Sequence, residues 1–201
     1  MQANIRKQLS EALVDVDEEY AGLVADSMTE IEVYPTPFLK HYKIYKVEHF
    51  NPHKPILFYV GMTPGKPAYL LTNNPENYVN LTRSDAVVIN SPQLAANYAT
   101  TYLEVTRSMS QLFYLVRSVE EVEFRTDLAD EEAKAKASFL QKYRSVIVPP
   151  SGRQTNGSYK VIAYVIREQT LEQHSITVSE KGDIKTDITI LEQDLPLVYG
   201  L

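Results

Sequence analysis

Ser175-Ile-Thr-Val-Ser179-Glu-Lys-Gly-Asp183-Ile184-Lys-Thr-Asp-Ile-Thr-Ile190 decides the fold, because its alternation sets both a strand pairing and its register. Apolar and polar side chains alternate on either side of Glu180-Lys181-Gly182, the period-2 pattern of half-buried strands. A three-residue loop, a type I turn closed by a left-handed residue, puts Gly182 where positive φ is needed. Ser179 then faces Asp183, Val178 faces Ile184, Ile176 faces Thr186 and His174 faces Ile188. A two-residue Lys181-Gly182 turn would set Val178 against Lys185 and Ile176 against Asp187, mixing core and solvent faces. The three-residue loop is the consistent choice.

Upstream, Tyr159-Lys-Val-Ile-Ala-Tyr-Val-Ile166 is apolar on both parities and reads as the central strand of this C-terminal meander. Ser151 to Ser158 reads as a polar loop leading into it. A second meander spans 41 to 72, with His41 to Phe50 extended, Ile56-Leu-Phe-Tyr-Val60 central, and Ala68 to Leu71 following. Ile31 to Tyr34, stopped by Pro35 and Pro37, is an edge or connector. Helices are expected over 2 to about 26, 75 to 83, 92 to 108, and from Asp127 or Asp130 to about Arg144. In the last, Ala133, Ala137, Leu140 and Tyr143 are read as inward. Residues 85–90 read as strand or connector, and 111–125 fit strand or helix.

Helical connections between antiparallel groups make this an α+β chain, with antiparallel sheet packed against helices. The expected organisation is one domain over 1–201, with weaker halves at 1–90 and 91–201. The meanders are expected to be two halves of one sheet. By element order alone, such a curved sheet around a helix is similar to cystatin-like and NTF2-like folds.

The chain has 201 residues, is acidic at a net charge of −6, and contains no cysteine. It therefore has no disulfide, thiol nucleophile or cysteine-built metal site. Without a basic cluster, nucleic acid is not an expected partner. No apolar window reaches membrane-span length and no leader-like segment opens the chain, so a cytoplasmic protein with no membrane partner is expected.

Motifs for chemistry are weak. Gly61-Met-Thr-Pro-Gly-Lys-Pro67 has too few residues between its glycines for a phosphate loop, and Pro67 stands where a hydroxyl is needed. His41 and His49 would lie ~26 Å apart on a straight strand. His53 sits in a proline-flanked loop, and no recognised His/carboxylate spacing is present. No metal, cofactor or catalytic group is expected.

Tyrosine stands out at 14 residues, against 6 Phe and no Trp. Buried hydroxyls need partners, so a tyrosine-rich core is either amphipathic packing or the wall of a polar-lined cavity. Packing is the favoured reading. The cavity reading names Tyr59, Tyr98, Tyr102 and Tyr164 as lining, with Arg107, Arg125 or His174 as anchors. Two functions remain open. One is a non-enzymatic interaction or regulatory module that docks a protein partner or forms a homodimer. The other is a small-molecule binder, or an enzyme of unrecognised type, with a Tyr-lined cavity.

Overall fold

The computed structural model describes residues 2–52 and 55–198, so His53 lies outside the described residues. Among the described residues, five helices and two antiparallel sheets make up an α+β fold. The expected single sheet is instead two. The chain divides into two compact units, Met1–Ile89 with Thr101–Met109, and Asn90–Thr100 with Ser110–Leu201. Among the described residues no helix is long and apolar enough to cross a membrane.

The first unit opens with α1 (Gln2–Leu13) and α2 (Glu18–Ala25), where the periodicity had indicated one helix. Asp17 causes the break. Its carboxylate accepts from the Glu19 and Tyr20 amides, capping α2, and a turn at Leu13 to Asp17 leaves Val14 and Val16 exposed. A cap of this kind offers the backbone an alternative to continuing the helix.

The first sheet runs β1 (Thr29–Tyr34), β2 (Lys43–His49), β3 (Ile56–Met62), β4 (Tyr69–Leu70) in spatial order. Phe58, Val60 and Met62 of β3 join Leu9, Leu13, Ala21 and Val24 of the helical hairpin in one core. Tyr59, on the opposite face, is also buried. Both faces of β3 are therefore covered, as its unbroken apolar run implies. The helix α3 (Pro75–Ser84) follows, and 85–90 is a connector.

The second unit holds β5 (Phe113–Val116), α5 (Asp130–Tyr143), β6 (Ser151–Thr155), β7 (Ser158–Arg167), β8 (Thr170–Ser179) and β9 (Ile184–Glu192). The order is β5-β7-β8-β9, with β6 also on β7, so β7 is central. β5 and a 3-10 turn at Val119–Glu121 resolve the ambiguous stretch. β6 replaces the expected loop. The Asn156-Gly157 pair, both at positive φ, closes a two-residue hairpin that sets Thr155 opposite Ser158.

One sheet face packs Val116, Tyr164, Ile166 and Leu171 against Phe139, Tyr143, Ile147, Leu195 and Leu197. The buried stripe of α5 is thus Phe139 and Tyr143, while Ala133 and Ala137 are exposed. The larger rings bury more apolar area than alanines and decide which way the helix turns. The other face carries Tyr159, Val161, Ala163, Val165, His174, Ile176 and Val178, all buried. The β8–β9 register matches the sequence reading at every pair named above, and Gly182 has φ of +84°. Helix α4 (Pro92–Val105) supplies residues to both units.

Candidate functional site

The seven residues singled out from sequence divide between the units, three in the first and four in the second. In the first unit, the Tyr59 hydroxyl donates to Glu104 Oε1 at 2.8 Å, and Arg107 Nη2 lies 3.3 Å from the same oxygen. Burial, reinforced by the Glu104 carboxylate, pushes the Tyr59 pKa far up, so this hydroxyl stays protonated and acts as a donor. Tyr34 meets the Tyr59 ring edge-on at 5.6 Å. Tyr102, also raised by burial, packs its ring against Tyr78 at 5.5 Å. Tyr59 and Arg107 are thus joined through a glutamate that the sequence reading had not singled out.

In the second unit the Tyr98 hydroxyl donates to the Gly182 carbonyl at 2.7 Å. Tyr164 and His174 fall on opposite faces of the sheet, since Tyr164 pairs with Gln173 while His174 pairs with Ala163. Tyr164 belongs to the α5-side core, with its pKa raised by burial. His174 belongs to a polar cluster. Its Nε2 lies 2.8 Å from Glu172 Oε2, which Arg167 Nε also approaches at 3.2 Å, and Arg167 covers the Phe113 ring. Arg125, the other anchor considered, pairs with Glu132 at the start of α5.

Glu172-Gln-His174 is a His/carboxylate pair after all. Two positions apart on a strand, both side chains reach the same face, a spacing that motif searches built for helices and metal loops overlook. Burial lowers the His174 pKa below its ordinary value, outweighing the opposing effect of Glu172, and the Arg167 charge adds to the lowering. The neutral ring donates from Nε2 to Glu172, so Nδ1 carries the lone pair. That nitrogen is buried without a hydrogen-bond partner.

A further group that sequence did not flag is Asp85, whose carboxylate is buried. It accepts from the amides of Lys40, His41 and Tyr42 at 2.5, 2.9 and 3.2 Å, and lies 3.1 Å from His41 Nδ1. Three amides converging on one carboxylate make a backbone clamp, which positions the chain entering β2. Glu104, Glu172 and Asp85 therefore spend their charge on neighbouring protein groups. Among the described residues, no group of three or more His, Asp or Glu is placed to hold a metal ion.

Two surfaces among the described residues bear on function. In the first unit a groove of about 590 Å³ is floored by Met28, Phe50, Ile56 and Leu57 and edged by Glu30 and Glu48. Its Met28 and Phe50 are 51% and 58% exposed. In the second unit β9 is the outer strand of its sheet, and Ile188 and Ile190 on one face of it are 51% and 56% exposed. Two adjacent β-branched apolar residues on an open edge are the kind of surface that proteins normally cover. Comparison of the chain with protein-family models, with curated proteins and with solved structures finds no match.

Proposed function

We propose that this protein is an acidic, cytoplasmic, non-enzymatic interaction module that works by self-association. The observation carrying this reading is the nine-residue edge strand β9, open along one side and bearing Ile188 and Ile190 exposed. Strand addition to a free edge satisfies backbone donors and acceptors that otherwise depend on water, and covers the apolar row beside them. The buried carboxylates support the same reading. Asp85 and Glu172 are each matched to a partner inside their own unit, which is consistent with a surface as the functional element.

A second reading has its own observation. The groove in the first unit falls within the usual volume range of ligand sites and combines an apolar floor with two carboxylates. Glu48 already holds Lys46 Nζ at 2.6 Å, so Glu30 is the carboxylate that would meet a positive group on a small apolar molecule.

Native mass spectrometry of protein purified from its own cells separates the two readings, since it reports oligomer and retained ligand together. We expect a dimer without retained ligand, and a monomer once Ile188→Glu and Ile190→Glu are introduced together. A wild-type monomer carrying a cationic small molecule would support the groove instead.

A further inference from the structure

We propose that β9 pairs antiparallel with β9 of a second copy about a two-fold axis through Thr186, setting Lys185 against the second copy's Asp187. This rests on the interaction reading above and adds to it the occupant of the edge and its register.

The direction of the backbone groups comes first. The Ser179 amide donates to the Asp183 carbonyl, so that pair is a hydrogen-bonded one. Alternation along an antiparallel ladder then makes Thr177/Lys185, Ser175/Asp187 and Gln173/Thr189 the bonded pairs. The amides and carbonyls of Ile184, Thr186, Ile188 and Ile190 point away from β8. They form a continuous template for another strand.

Among the described residues the other edges are short or guarded, with only two residues in β4 and five in β6. β1 carries Glu30 and Glu32 and runs into Pro35 and Pro37, which cannot extend a ladder. β5 is only four residues long. β9 has nine residues with neither proline nor glycine. Lys185 by itself would be an ordinary guard against pairing. With Asp187 two positions along on the same face, the charges become complementary to a copy of themselves.

Register decides how well they match. A two-fold pairing that bonds the outward groups can centre on any residue from Lys185 to Thr189. Centring on Lys185 opposes two ammonium groups, and centring on Thr189 carries the ladder into the irregularity opposite Leu171. Centring on Asp187 sets two carboxylates directly opposite each other, which is destabilising. Centring on Ile188 places Ile188 on its own copy but sets Asp187 against Thr189 and leaves both charges unmatched. Centring on Thr186 pairs Thr186 with Thr186, Ile184 with Ile188 twice, and Lys185 with Asp187 twice. Three bonded pairs of two bonds each give about six new backbone hydrogen bonds. In the single chain Lys185 Nζ lies 3.9 Å from Asp187 Oδ1, and with the side chains 78% and 68% exposed this pair can exchange for the two cross-copy pairs without disturbing the core. Ile188, half exposed in the single chain, gains an apolar neighbour in Ile184.

The test is sedimentation equilibrium on the intact chain for wild type, Lys185→Asp, Asp187→Lys and the double exchange Lys185→Asp/Asp187→Lys. Each single reversal turns two attractions into two repulsions, and we expect about a tenfold loss of dimer affinity. The double exchange should return to within about twofold of wild type. A wild-type dimer indifferent to the single reversals would overturn the Thr186 register while leaving self-association standing. A wild-type chain monomeric at every concentration would overturn both the register and the interaction reading.

Discussion

Replacing Asp85 by alanine is expected to cost about 3–5 kcal/mol, because three backbone amides lose their common acceptor at a buried position. The carboxylate is 1% exposed, so water cannot take its place without opening the chain around Lys40 to Tyr42. Asp85→Asn should cost less. One oxygen can still accept from His41 and Tyr42, but the Lys40 amide then faces an NH2 group. Urea unfolding of both variants checks the order. A loss below about 1 kcal/mol for the alanine variant would mean that the amides find partners elsewhere.

Gly182→Val should destabilise by about 2–4 kcal/mol, from two independent causes. At φ of +84° a β-branched residue is strained, since its Cβ crowds the following carbonyl. A Cβ here would also stand 2.9 Å from the Tyr98 hydroxyl oxygen, which donates to the carbonyl of this same residue. Tyr98→Phe separates the causes, because it removes only the hydrogen bond, at about 1 kcal/mol. If the valine variant melted with wild type, the left-handed turn would be wrong, and with it the register of β9.

The C-terminal meander was legible because one consideration governed it. With apolar residues at Ile176, Val178, Ile184 and Ile188, only one loop length keeps both strands in phase, and that is the pairing found. β3 was legible for a similar reason, since an unbroken apolar run has no solvent face to offer. The N-terminal helix misled because periodicity records which residues share a face and is blind to where hydrogen bonding stops. Val16 continues the apolar stripe from Leu9, Ala12 and Leu13 to Tyr20, Leu23 and Val24, yet Asp17 beside it spends its carboxylate on capping α2. β6 was missed because Ser151 to Thr155 has no apolar face. The Asn156-Gly157 pair is a local hairpin signal that the loop reading passed over, while the strand character of so polar a segment comes from its pairing with β7. That the meanders form separate sheets was beyond reach for the same reason. Strand alternation specifies a face and leaves the neighbouring strand open.

The polar groups followed the same division. Abundant tyrosine announced buried hydroxyls, and Tyr59 and Tyr98 do donate to internal acceptors. Their acceptors, Glu104 and a turn carbonyl, lie 45 and 84 positions away in the chain and could not be read from spacing. Asp85 reads in sequence as the first residue of a strand or connector, whereas its partners lie in a loop more than 40 positions earlier.

Amide hydrogen exchange followed residue by residue along β9, at increasing protein concentration, tests the edge-pairing account most directly. In the single chain the amides of Lys185, Asp187 and Thr189 are bonded to β8, while those of Ile184, Thr186 and Ile188 face outward. Pairing about Thr186 should therefore slow exchange at Ile184, Thr186 and Ile188 as concentration rises, while Ile190, beyond the bonded segment, stays fast. Fast exchange at all four outward positions in every sample, whatever the concentration, would contradict the account.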